Sequence, residues 1–148
     1  MIYYLDTSAL VKRYYSEAGS SWVHSLFVPD NILVASRVAY AELLAALARK
    51  RRVREVTERG FTSAVDSFQH EWQECVVVEV SDAVVADLLA LVQRHALRGF
   101  EAIHLYSALW FRQRTKADLT FVCADHQSLR AAEDEGIEIA NPERMDTQ

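Results

Sequence analysis

Four carboxylates stand where a carboxylate is out of place. Asp6 ends the apolar run Ile2-Tyr3-Tyr4-Leu5, and Asp125 ends the run Phe121-Val122-Cys123-Ala124. Glu42 is embedded in VAYAELLAALA, and Glu101 lies in GFEAIHLYSAL. An acid on a largely apolar element needs a partner, because an unpaired buried charge is very costly. No cluster of Lys or Arg lies close in sequence to neutralise all four. A hard divalent cation does so naturally, since Mg2+ and Mn2+ choose carboxylate oxygens and water. An ion held this way lowers the pKa of a bound water and polarises a phosphoryl oxygen. Each acid also has a purely structural reading. Asp6 and Asp125 suit helix N-caps, Glu42 suits the rim of its helix, and Glu101 suits a first turn, where the dipole favours negative charge.

The elements that must position these acids alternate between strand and helix. Short, continuously apolar runs predict strands over 2–6, 32–35, 76–80, 120–124 and 137–140. Helical spacing predicts helices over 8–15, 17–27, 38–51, 53–72, 82–96, 100–114 and 128–135, the last stopped by Gly136. In the helix over 53–72, Phe61, Val65, Phe68 and Trp72 recur every three or four residues. Such alternation implies a parallel sheet covered on both faces. Ligands then bind beyond the carboxyl ends of the strands where the strand order reverses, which is where Asp6 and Asp125 fall.

The bulk numbers fit this picture. With 148 residues, 51% of them apolar, the chain has the material for one core and is read as one domain over 1–148. A formal net charge of −5 disfavours attachment to nucleic acid by bulk charge alone, so any nucleic acid must be met by local basic patches. Arg49, Lys50, Arg51, Arg52 and Arg54 form the densest one. Lys12, Arg13, Arg98, Arg112, Arg114 and Lys116 are further candidates. The run at 49–54 also suits a helix C-terminus, where cations complement the dipole. No apolar stretch approaches the ~20 residues of a bilayer span and no basic segment leads into an apolar one, so a cytoplasmic protein with no membrane contact is expected. Cys75 and Cys123 read most simply as two reduced, buried thiols, with a bridge between them left open. His24, His70, His95 and His126 lack the spacing of a zinc site.

At LDTSALVKRY, AELLAAL, LRGFEAIHLYSAL and FVCADHQSLRAAEDEGIEIANP the chain resembles the PIN-domain nucleases, and more closely the VapC-type ribonuclease toxins of type II toxin–antitoxin pairs. The resemblance spans nearly the whole chain. It implies an α/β PIN fold with a five-stranded parallel sheet in the order 3-2-1-4-5 and about seven helices. It implies that Asp6, Glu42, Glu101 and Asp125 form an acidic cluster holding Mg2+ or Mn2+, with Ser8 beside the first Asp. It also implies hydrolysis of RNA, a homodimer, and a small antitoxin partner clamped by the helices around Glu42 and Phe61.

Two positions depart from the family pattern. Glu101 stands where Asp is usual, and Cys123 where Ser or Thr is usual. The latter removes a hydroxyl that could orient a ligating carboxylate. His104 shares a helix face with Glu101 and reads as support or packing rather than as a ligand. Two other readings stay open. One is a PIN-like binding module without catalysis. The other is an aspartyl phosphatase using Asp6, which would call for a second Asp where Ser8 stands.

Overall fold

Strand β1 (Ile2–Leu5) sits at the centre of a single parallel sheet with β2 (Ile32–Ser36), β3 (Val76–Val78), β4 (Thr120–Val122) and β5 (Glu138–Ala140). The order is β3-β2-β1-β4-β5, as expected. The structure is a computed structural model describing residues 1–145. The last three positions of the expected domain, 146–148, lie outside the described residues. Tyr4 pairs with Val34 on one side and Phe121 on the other, and both Tyr4 and Leu5 are fully buried. A strand flanked on both edges and both faces has no solvent side, so it reads as unbroken apolar sequence.

Side-chain alternation along β1 divides the core in two. Tyr4 joins Val34, Leu105, Phe121 and Leu129 on one face, and its ring stacks on Phe121 at 5.5 Å between centroids. Tyr3 and Leu5 face the other side, with Leu43, Leu47, Phe68 and Trp72. The helices there are α3 (Arg37–Arg52) and α4 (Glu58–Trp72). Phe68 and Trp72 are buried as their spacing predicts, and Phe68 also meets Tyr14 and Tyr40 edge-on or tilted. On the first face lie α5 (Asp82–Val85), α6 (Leu88–Arg94), α7 (Gly99–Thr115) and α8 (His126–Asp134).

Several boundaries differ from the expectation, each for a local reason. The helix expected over 8–15 is one turn, α1 (Thr7–Leu10), followed by a 3₁₀ turn over Val11–Arg13. The helix expected over 17–27 is α2 (Ser20–Leu26), delayed by Gly19 at φ +88°. The helix expected from 53 starts at Glu58, because Arg54 takes a left-handed φ of 60° and Thr57 caps α4 through the Gly60 amide at 3.0 Å. The helix expected over 82–96 divides at Ala86–Asp87, where Asp87 accepts the Tyr106 hydroxyl. A last turn, α9 (Pro142–Met145), was not expected. Asn141 caps it through the Glu143 amide and Pro142 occupies its first position, a start signal that reads equally as a strand stop. The described residues thus hold nine α-helical segments rather than about seven.

Gly19 packs against that last turn. A Cβ added there would lie 2.7 Å from both the carbonyl carbon and the Cβ of Pro142, at a φ that side chains rarely adopt. Gly19→Ala therefore combines a backbone clash with left-handed strain and is expected to cost about 2–4 kcal/mol. Urea unfolding of the two proteins measures the difference, and a loss under about 0.5 kcal/mol would mean that α9 moves aside freely.

Candidate active site

Parallel pairing of β1 with β4 places the two aspartates side by side. Leu5 pairs with Val122, and the Asp6 amide donates to the Val122 carbonyl at 3.0 Å. Both strands end here, at the reversal of strand order. Asp6, only 8% exposed, caps α1, and its Oδ2 accepts the Ser8 amide at 2.9 Å and the Ser8 hydroxyl at 2.6 Å. Asp125 caps α8, its Oδ2 accepting the Ser128 amide at 2.7 Å. In both acids the cap uses Oδ2 and leaves Oδ1 outside it.

Ser8 ties the two strand ends together. Besides donating to Asp6, its hydroxyl accepts the Ala124 amide at 3.0 Å and lies 3.5 Å from Cys123 Sγ. The sulfur in turn accepts the Asp125 amide at 3.3 Å. Cys123 therefore fills, with weaker hydrogen bonds, the position of the hydroxyl it replaces. Burial first, and then the charge of Asp6, push its thiol far above the ordinary range. Both cysteines are free, and burial raises the Cys75 thiol to about 11.

Glu42 enters from α3. Its Oε1 accepts the Thr7 hydroxyl at 2.8 Å and His104 Nε2 at 2.6 Å. His104, on α7 and 2% exposed, has its other nitrogen 3.1 Å from the Tyr4 hydroxyl and 3.8 Å from Asp6 Oδ1. The imidazole thus stands between two carboxylates. Burial alone would lower its pKa, but the charge of Asp6 and the hydrogen bond and charge of Glu42 outweigh this and raise it above its ordinary 6.5. Burial likewise works to raise Glu42, but the hydrogen bond and charge of His104, with the Thr7 hydrogen bond, hold it below its ordinary 4.5.

All four predicted acids line one cleft of about 890 Å3, together with Thr7, Ser8 and His104. They do not converge equally. Glu101 turns back on its own helix, Oε2 accepting the Arg98 amide at 2.8 Å and Oε1 accepting Arg98 Nε at 3.2 Å. This is a capping box, for which Glu has the reach. Among the described residues no three His, Cys, Asp or Glu side chains close on one point tightly enough to share an ion.

No protein-family model matches the chain. Ribonuclease VapC45 of Mycobacterium tuberculosis (strain CDC 1551 / Oshkosh) is 38% identical over 106 residues, covering 72% of this chain and 74% of that protein. The chain belongs to the VapC family of PIN-domain ribonucleases. Its fold is that of solved toxin–antitoxin complexes. One from Klebsiella pneumoniae superimposes with a TM-score of 0.65 at 15% identity, over 95% of this chain and 97% of that one. VapBC2 from Rickettsia felis, bound to a promoter DNA fragment, gives 0.65 at 14% identity, over 95% and 98%.

The basic residues of this VapC-family chain sort differently from the expectation. Arg49 and Arg98 line the cleft. Lys12 is instead buried between Glu17 and Glu143, 3.0 Å from each. Arg13 pairs with Glu71, and Arg112 bonds the carbonyls of Glu135 and Gly136. Lys50 lies over the Tyr15 ring, and Arg51 lies over Phe61 and pairs with Glu58. Arg52 and Arg54 line a separate hollow with Arg51. Sequence reasoning missed Thr7, Phe100 and Ser128, which also line the cleft. Thr7 follows the first Asp and could have been noticed. Ser128 had no signal beyond being three residues after Asp125. Among the described residues no helix is long and apolar enough to cross a membrane.

The Glu42–His104 pair makes stability depend on pH in a definite direction. A raised histidine contributes stability that is complete below 6.5 and lost as pH rises through its folded value. A lowered glutamate contributes stability present above 4.5 and lost as pH falls through its folded value. In EDTA, the thermal midpoint of the wild type should therefore fall as pH rises past 6.5 relative to that of His104→Gln. Parallel curves for the two proteins between pH 5 and 9 would remove the pair from the account.

Proposed function

We propose that the chain is a Mg2+- or Mn2+-dependent endoribonuclease and the toxin of a toxin–antitoxin pair. The observation that carries this reading is the lining of a single cleft by Asp6, Glu42, Glu101 and Asp125 in a chain of the VapC family. The donor set fits a hard cation, being all oxygen. Mg2+ keeps several waters and takes only one or two carboxylates directly, so a site need not gather three side chains beforehand. The buried Ser128 hydroxyl lines the same cleft and has no hydrogen-bond partner, as expected where a polar ligand belongs.

When bound, the ion supplies an activated water and polarises the scissile phosphoryl group. The chain's own residues arrange the rest. Asp6 and Asp125 would hold the ion, and Ser8 fixes the orientation of Asp6. Glu42 is aimed by Thr7 and His104. Glu101 lines the same cleft and would join the set on leaving its cap. Arg49 and Arg98 offset the acidity of the cleft for an incoming polyanion.

The likeness to toxin–antitoxin complexes supports a small antitoxin partner, with the α3–α4 hairpin as its clamp, and the family supports a homodimer and a cytoplasmic setting. The engagement of both Glu101 oxygens favours a second reading, a PIN-like binding module without catalysis.

Cleavage of a pool of transfer, ribosomal and messenger RNA separates the two readings. The wild type should cut in Mg2+ or Mn2+ and stop in EDTA. Asp6→Asn should cut at least about 100-fold more slowly, and Ser8→Ala should weaken the apparent metal affinity about 10–100-fold. Cutting that survives both EDTA and Asp6→Asn would refute the metal site, and no cutting under any condition would favour the binding module.

A further inference from the structure

The mouth of the cleft carries a ring that the metal chemistry does not use. Phe100 is 59% exposed on the first turn of α7, and among the described residues no other Phe, Tyr or Trp is left largely exposed. The other large rings are buried or paired, as Tyr4 is with Phe121 and Tyr3 with Trp22. Keeping a phenyl ring in water forgoes the stabilisation its burial would bring, so its position invites a partner. Phe100 lines the same cleft as the four acids. It follows Arg98, whose side chain is 89% exposed, and Arg49 lines the cleft from α3. The exposed apolar residues Val85, Leu89 and Val92 do not line this cleft.

A planar ring in one cleft with two cations is a combination that holds single-stranded nucleic acid, bases on the ring and phosphates on the cations. We infer that Phe100 is a stacking platform seating one unpaired RNA base beside the carboxylate cluster, with Arg98 and Arg49 taking the adjacent phosphates. This rests on the ribonuclease reading and adds a selectivity to it. Duplex RNA, whose bases are already stacked on one another, cannot offer a face to Phe100 and is bound less well. Phe100 thus fixes where the strand lies, while Asp6 and its partners act on the phosphodiester.

The test uses the full chain carrying Asp6→Asn, in Mg2+, so that RNA is bound without being consumed. Fluorescence anisotropy follows a labelled single-stranded 12-mer of mixed sequence and the same strand annealed to its complement. Phe100→Ala should weaken single-strand affinity about tenfold and leave duplex affinity unchanged. Phe100→Trp should retain single-strand binding, whereas Phe100→Leu, apolar but not planar, should lose it. Arg98→Ala should reduce the slope of log affinity against log salt by about 0.7, and Phe100→Ala should leave that slope alone. Because Phe100 is exposed, its variants should keep the wild-type thermal midpoint.

Equal single-strand affinity for Phe100→Ala, or full retention by Phe100→Leu, overturns the stacking platform. So does a change in sedimentation mass on Phe100→Ala without a change in RNA affinity, which would place the ring between two copies of the chain. The parent chain without Asp6→Asn is assayed for cleavage in parallel. If it neither cuts nor binds RNA, the ribonuclease reading fails and takes the platform with it. If it cuts RNA while Phe100→Ala binds normally, the platform alone fails.

Discussion

Like charges repel, and this fold brings Asp6, Glu42 and Asp125 to one edge of one sheet from three different elements. Burial raises the cost, since water can no longer screen them fully. His104 is the fold's internal answer. It is buried on the apolar side of α7, anchored by the Tyr4 hydroxyl, and set between Asp6 and Glu42. One imidazole can offset one carboxylate. The cluster therefore keeps a negative excess, which is the charge the proposed cation would offset. The same arrangement explains why Tyr4 is a tyrosine in an otherwise apolar strand: a phenylalanine there would leave His104 Nδ1 facing the core.

The helix caps and the site draw on the same atoms. Asp6 and Asp125 each satisfy an orphan amide at a helix start with Oδ2, which is a stability requirement, and leave Oδ1 for chemistry. A carboxylate has two oxygens and roughly four acceptor positions, so both demands can be met at once. The capping reading of these residues therefore does not exclude the functional one. The cap also fixes the side chain's direction.

Legibility in the sequence followed the length scale of the interactions. The burial of Phe68 and Trp72 on α4 and the two aspartates at strand ends depend on local pattern and on the rules of parallel sheets, and they read correctly; the strand order, which the family resemblance implied, also holds, whereas α3 buries Ala39 and Leu43 and leaves Ala41 and Ala45 exposed. The caps that shift α2 and α4 and open α9 depend on left-handed residues and on whether Asn141-Pro142 ends a strand or starts a helix. Those choices are settled by packing, as where Gly19 meets Pro142. Charged residues read worst. Lys12 looks outward by helical spacing, yet a 3₁₀ turn rotates it inward between Glu17 and Glu143. Thr7 stands beside Asp6 and His104 on the face of Glu101, but the contacts of Thr7 with Glu42 and His104 span 35 and 97 residues of sequence, which no local pattern announces.

Glu101 shows what happens when capping and chemistry compete for oxygens rather than share them. As the third residue of α7 it can reach back to the Arg98 amide, and the extra methylene relative to Asp is what allows this. Unlike Asp6 and Asp125, it engages both oxygens there, one on the amide and one on the guanidinium. The replaced methylene thus changes more than length. It converts an acid that would share its oxygens into one that holds its helix start closed, and it couples that acid to an arginine at the mouth of the cleft. Releasing Glu101 exchanges one set of hydrogen bonds for another and leaves the Arg98 amide to water. Breaking the Arg98–Glu101 pair frees the carboxylate and the guanidinium together, so the acid in the cleft and the cation at its entrance cannot change partners independently.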